Sequence, residues 1–287
     1  MAFLFIMTES DDTLFDNNST DESDVAIKEW QRKHQAVDLL LTSESRQGAA
    51  IARNRGLELT RTPYVMFFDS DDEMLQGHLE RLINGIQTYN EADILGWNVL
   101  YQLPSGKTHL TTFTTERPVY NHLTRVILAT EHYAVKTDFI RKSGGWNADL
   151  TGWDDFELGA RLLSAKPRMA KLDNDAEPAL VCPKFTEESI TGRLFSPTPE
   201  KWERALDRME IVLKDKYPEA QCWIGYRRAV LAGMYAREGA AGEASRLLAA
   251  APCDGFNPLK ARICYYVTRL LGKGARHAAR LMLPTDL

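Results

Sequence analysis

The chain has 287 residues, enough for one large domain or one domain with an appendage. Its 44% hydrophobic and 26% charged residues are those of an ordinary globular protein, and a net charge of −5 argues against a protein built to coat nucleic acid. The cysteines, Cys182, Cys222, Cys253 and Cys264, have neither CxxC spacing nor the density of a disulfide scaffold, so they read as reduced packing thiols in a cytoplasmic protein. No apolar run approaches the roughly 18 residues of a membrane span, and Phe3–Met7 has no basic flank of the kind that opens a signal peptide.

In chain order, Phe3–Met7 reads as a strand, and Leu14-Phe15 ends a second strand that runs into the polar loop Asp16-Asn17-Asn18-Ser19-Thr20-Asp21. Ser23–His34 is helical in composition, Val37–Leu41 is an apolar strand, and Gln47–Leu59 is a helix. The β-type run Tyr64–Phe68 empties into Asp69-Ser70-Asp71-Asp72-Glu73. A helix over Leu79–Tyr89, a strand over Asp93–Leu100 and a turn at Pro104-Ser105-Gly106 follow. Over residues 3–100 this alternation predicts a parallel sheet with crossover helices. Residues 120–193 are less regular. From Pro199 the spacing of Trp202, Leu206, Met209, Val212 and Leu213 predicts helices, with a helical hairpin over Tyr226–Ala251 around Gly239. The expected division is an α/β domain over 1–195 and a helical region over 196–287.

The acidic cluster is the strongest chemical signal. A buried strand ending in Asp69, Asp71, Asp72 and Glu73 places negative charge at a strand's C-terminal end, where open α/β sheets bind ligands. Carboxylates this close repel one another, and a divalent cation carrying a diphosphate relieves the repulsion. The cluster also has company. The segments Asp16-Asn17-Asn18-Ser19-Thr20-Asp21, Gln47-Gly48-Ala49-Ala50-Ile51-Ala52-Arg53-Asn54 and Trp153-Asp154-Asp155-Phe156-Glu157-Leu158 with Arg161 occur in a fixed order around it.

In that order and wording, roughly residues 13–192 resemble the family 2 glycosyltransferases of the GT-A fold. The resemblance implies an α/β, Rossmann-like mixed sheet flanked by helices, here with a helical C-terminal extension. It implies that Asp16, Asn17, Gly48, Arg53 and Asp69 bind a nucleotide sugar, a UDP-sugar being favoured. Asp71 and Asp72 would hold Mg²⁺ or Mn²⁺, for which hard oxygen ligands are suited. Asp155 would be the catalytic base of an inverting, single-displacement transfer to a glycan or lipid-linked acceptor, with Trp153 and Asp154 on the acceptor side. Cell-surface polysaccharide synthesis is the implied setting.

Each motif has a plainer reading. Asp16–Asp21 can be a turn with a helix cap, Arg53 a solvated helix residue, and Asp154-Asp155 a cap on a helix through Arg161. Trp146 and Trp153 can be core or line a pocket, and His132 reads as structural. The family pattern is also incomplete. Only Thr8–Asp12 separate the first two strands, too few for a parallel crossover, so Phe3–Met7 either belongs to a shortened first unit or pairs differently. No histidine precedes Ser189-Ile190-Thr191, where Glu187 or Glu188 would have to substitute.

Two other functions compete: a non-catalytic GT-A-like nucleotide-binding or interaction protein, and a phosphatase-like use of Asp69-Ser70-Asp71. Between Asn257 and Leu287, Lys260, Arg262, Arg269, Lys273, Arg276 and Arg280 face Asp286 alone. That segment suits either a helix on an anionic membrane surface, which would make the protein peripheral at the inner face, or a solvated helix on the domain.

Overall fold

The computed structural model describes residues 3–7, 12–16, 23–35, 39–43, 45–69, 71–103, 105–172, 178, 180–183, 194–250 and 257–272. Its centre is β4 (Tyr64–Asp69), the middle strand of a seven-stranded sheet. On one side of it lie β1 (Phe3–Met7), β2 (Asp12–Asp16) and β3 (Leu39–Ser43); on the other lie β9 (Tyr133–Lys136), β6 (Ile94–Gly96) and β10 (Met169–Lys171). Successive residues of β4 point to opposite faces, and both faces are covered. Val65 and Phe67 join one buried cluster with Ile94, Trp146 and Phe156, while Tyr64 and Met66 join another with Leu82, Leu95 and Trp97.

The sheet is mixed, as the family resemblance implies, rather than the parallel one that the alternation over residues 3–100 predicts. β2 and β3 are parallel, as are β6 and β10, but β9 runs antiparallel to β4 and β6, and β1 runs antiparallel to both β2 and β4. The short link between β1 and β2 explains the difference: an antiparallel pair needs only a tight connection, whereas a parallel one needs about a dozen residues. β1 thus fills the slot between β2 and β4. Its register matters for the site, because Phe3 pairs with Asp16 and Leu4 with Asp69. Asp16 and Asp69 therefore stand at the same sheet edge, two strand spacings or about 10 Å apart.

A second, four-stranded sheet has the order β5 (Glu73–Met74), β11 (Leu180–Pro183), β7 (Val99–Gln102), β8 (Thr108–Thr111). The strand expected over Asp93–Leu100 is split between the two sheets, with Gly96 ending β6 and Val99 opening β7. The chain makes the same transfer between Asp69 and Glu73. Asp71 and Asp72 thus occupy a junction between sheets, where neither residue is committed to a ladder.

Helices α1 (Ser23–Lys33), α2 (Ala49–Leu59), α3 (His78–Thr88), α4 (Pro118–Arg125), α5 (Thr137–Lys142) and α6 (Asp154–Ser164) belong to the sheet-bearing part. α7 (Pro199–Leu213) opens with proline at its first position, where no backbone N–H is needed. It packs on α6, and Trp202, Leu206, Met209 and Leu213 share a buried cluster with Phe156, Leu158 and Leu162. The hairpin around Gly239 is formed by α8 (Ala220–Arg237) and α9 (Ala241–Ala249), and α10 (Pro258–Leu271) packs along α8. Cys182, Cys222 and Cys264 form no disulfide among the described residues; Cys253 lies outside them.

Gly96 is needed for close approach, since a Cβ there would lie 2.1 Å from the ring of buried Phe113. Gly96→Ala should cost about 2 kcal/mol through overpacking. Urea denaturation measures this, and an unchanged midpoint would contradict the packing.

Candidate active site

Arg53 is the hub. It projects from α2 into a buried position, where its guanidinium donates to Asp69 at 2.9 Å and to Asp154 at 3.2 Å. Burial opposes its charge, but Asp69 and then Asp154 outweigh that penalty and hold its pKa above the ordinary arginine value. The guanidinium carbon lies 4.4 Å from the centroid of the Trp146 ring, which in turn meets Phe67 edge-on at 5.6 Å. Arginine suits this place because its flat fork can stack on an indole while binding two carboxylates.

Trp146 is fixed by the neighbouring residue of α2. The Asn54 side chain donates to Trp146 O at 2.7 Å and accepts from Trp146 N at 2.8 Å. Gly145 approaches Asn54 so closely, at φ 64°, that a Cβ would lie 2.6 Å from the amide oxygen. Consecutive residues of α2 thus do separate jobs: Arg53 gathers the carboxylates and Asn54 holds the ring under it.

Asp154 and Asp155 open α6, where unpaired N–H groups and the helix dipole favour anions. Trp153, just before them, has φ 55°, an unusual value for a bulky residue and a local strain at the entry to the motif. Asp155 accepts from Phe156 N at 2.7 Å. Burial, then Asp154 and Glu131, push the Asp155 carboxyl up to about 7. Asp154 is also raised by burial, against the pull of Arg53. On the other side of the site, burial, Glu131 and Asp69 push Asp72 up to about 8, and burial followed by Asp69 raises Asp71.

Glu131 was not singled out by the sequence. It precedes β9, and because β9 is antiparallel to β4 its start lies at the β4 end that carries Asp69. Its backbone oxygen accepts from Trp97 Nε1 at 2.8 Å, and its carboxylate accepts from the Tyr101 hydroxyl. The available signal was one acidic residue, flanked by Thr130 and His132, between the apolar runs Leu128-Ala129 and Tyr133-Ala134-Val135. Tyr133 is a second addition: its buried hydroxyl has no hydrogen-bond partner among the described residues, and Asp155 is, after burial, the main influence holding its proton on.

The remaining predicted residues are spread around this centre. Gly48 caps α2 with φ 138°, a conformation for glycine alone. Asp16 ends β2 at the shared sheet edge, while Asn17, Glu187 and Glu188 lie outside the described residues. Trp153 packs against Phe156, Phe195 and Trp202, joining the entry of α6 to α7. Arg161 is structural: it makes a two-pronged pair with buried Glu157 at 2.8 Å and also donates to Ser143 O. His132 is buried, with its ring 2.9 Å from the Tyr101 hydroxyl.

Among the described residues no His, Cys, Asp or Glu trio is close enough to hold a metal ion. The donor chemistry nevertheless suits a hard cation. Asp71 and Asp72 offer carboxylate oxygens whose ionised forms are disfavoured by burial and by Asp69, and a cation carrying a diphosphate would relieve that penalty.

Residues 13–142 match the sequence profile of Glycosyl transferase family 2. That segment, a little under half of the chain, is similar to the family 2 glycosyltransferases. Across 141 residues it is 31% identical to the teichoic acid poly(glycerol phosphate) polymerase of Staphylococcus epidermidis, covering 47% of this chain and 17% of that protein. Across 153 residues it is 26% identical to glycosyltransferase AglE of Haloferax volcanii, covering 52% and 50%. The chain thus spans half or less of the curated relatives it matches. The fold is that of the GT-A glycosyltransferases. It superposes on residues 1–349 of S. aureus TarS in complex with UDP-GlcNAc with a TM-score of 0.58 at 14% identity, covering 83% of this chain and 81% of that one.

Two results should follow from the geometry. Asn54→Ala leaves both Trp146 backbone groups without their partner and should cost about 2 kcal/mol in chemical denaturation; no change would mean that the loop holds itself. Asp155 and Asp72 keep protons in the folded state up to about 7 and 8, whereas the unfolded chain loses them near the ordinary carboxylate value of about 4. The folded state binds more protons across that window, so metal-free stability should fall as pH rises from about 4 to 8. A melting temperature that rises over this range would contradict the burial of these carboxyls.

Proposed function

We propose that the chain is the catalytic domain of an inverting glycosyltransferase. It takes a sugar from a nucleoside diphosphate sugar, a UDP-sugar being favoured, and transfers it to a hydroxyl of a glycan or lipid-linked acceptor in cell-surface polysaccharide synthesis. The observation that carries this reading is the pairing of a carboxyl tuned to about 7, Asp155, with an Arg53-centred group of acids at the end of β4. A base with a pKa near working pH is ionised often enough to act and basic enough to take a proton.

In this mechanism Asp16, Asn17, Gly48 and Asp69 hold the nucleotide, with Arg53 orienting Asp69. Asp71 and Asp72 would hold Mg²⁺ or Mn²⁺, which when bound would supply positive charge to offset that of a diphosphate. The acceptor hydroxyl oxygen attacks the anomeric carbon as its bond to the diphosphate oxygen breaks. The hydroxyl proton passes to Asp155, and the nucleoside diphosphate leaves with the bonding electrons. Attack from the face opposite the leaving group inverts the anomeric centre. On this reading Trp153 and Asp154, the residues before the base, serve the acceptor side, while the charge of Glu131 helps to raise Asp155 and Asp155 in turn acts on the Tyr133 hydroxyl.

Asp155→Asn should lower kcat by about 10²–10⁴-fold while leaving metal-dependent donor binding intact. For the parent protein, kcat/KM should rise with pH through about 7 as Asp155 ionises. Donor binding without turnover, unaltered by Asp155→Asn, would favour a non-catalytic nucleotide-binding protein instead.

A further inference from the structure

The face of α10 that turns away from the protein is apolar. Leu259, Ile263, Tyr266 and Leu270 follow one another at helical spacing and form a single stripe, with exposures of 66%, 40%, 52% and 71%. The opposite face is spoken for, since Ala261 and Cys264 are buried with Tyr226, Ala229 and Val230 of α8, and Thr268 is fully buried. The stripe is therefore not the core face of the helix but a second apolar surface, roughly 17 Å long at 1.5 Å per residue.

Its borders are cationic. At 100° per residue, Arg262 and Arg269 flank the stripe on one side and Lys260 on the other. The sequence holds no Asp or Glu from Gly255 to Thr285, although the whole chain carries a net charge of −5. This is the pattern of an interfacial helix, whose apolar side chains enter the acyl boundary while long cationic ones reach up to lipid phosphates. No helix among the described residues is long and apolar enough to cross a membrane, so contact through this helix would be lateral.

We propose that the Leu259–Leu270 face of α10 docks the protein on an anionic lipid surface. A second copy of the chain is a poorer occupant. A two-fold contact through this stripe would set Lys260, Arg262 and Arg269 against the same cations of the other copy. Phospholipid headgroups supply the opposite charge, and each cation near such a surface adds to binding and is screened by salt. The proposal goes beyond the transfer chemistry and does not depend on it.

The test is co-sedimentation of the full chain with vesicles of phosphatidylcholine alone and of phosphatidylcholine mixed with phosphatidylglycerol. Binding should require phosphatidylglycerol, weaken with added salt, and fall at least about tenfold in an Ile263→Asp/Leu270→Asp variant. Both substituted side chains are exposed, so circular dichroism and the melting temperature should be unchanged. Binding that ignores lipid charge, or that survives the double substitution in a folded protein, would overturn the proposal. So would a concentration-dependent dimer that the same substitutions abolish, which would assign the stripe to a second copy.

Discussion

One buried cation organises the site. The Arg53 guanidinium joins the end of β4, through Asp69, to the start of α6, through Asp154. Without it, these carboxylates would face Asp155 and one another with no compensating charge. Removing one partner of a buried pair commonly costs about 3–5 kcal/mol, because the charge left behind is neither solvated nor paired. The Trp146 ring beneath Arg53 and the Asn54 amide beneath Trp146 carry that constraint into the loop before α6. The site therefore depends on a stack of side chains, each fixed by the next.

Around that hub the acids are under strain of charge. Asp72 and Asp155 lie among Glu131, Asp69 and Asp154 in a partly dry setting, and both are pushed far above ordinary carboxylates. Nothing in the packing requires so many acids at one sheet junction. Residues that destabilise a fold while remaining close together are a mark of function, and here they suit a ligand that brings positive charge with it. The two ends of the acidic group divide naturally, with Asp71 and Asp72 free of the sheet ladders and Asp155 at a helix start.

Much of this was legible in the sequence because it rests on short-range patterns. The β4 run, the acids after it, the α2 segment around Arg53 and the Asp154-Asp155 helix start are all local signals. Which strands run antiparallel was not legible, although the family resemblance implied a mixed sheet. Phe3–Met7 has the composition of any buried strand, and its antiparallel place between β2 and β4 comes from pairing partners far along the chain. The split of Asp93–Leu100 between two sheets is hidden for the same reason, and so is the close approach of Phe113 to Gly96 at the break. Glu131 escaped notice because what makes it part of the site is the antiparallel run of β9, a tertiary fact. Arg161 erred the other way: it carries a motif's spacing, yet its partners are Glu157 and the Ser143 carbonyl.

The central claim is that the acids at the β4 end exist to hold a metal-bound diphosphate. Thermal unfolding of the parent chain and of Asp71→Asn/Asp72→Asn, each with and without UDP and Mn²⁺, tests it most directly. Removing two carboxyls whose ionised forms are penalised by burial and by Asp69 should make the metal-free variant at least as stable as the parent. The parent alone should then gain stability from UDP with Mn²⁺, an effect that EDTA abolishes. Equal stabilisation of both proteins, or of neither, would contradict the claim.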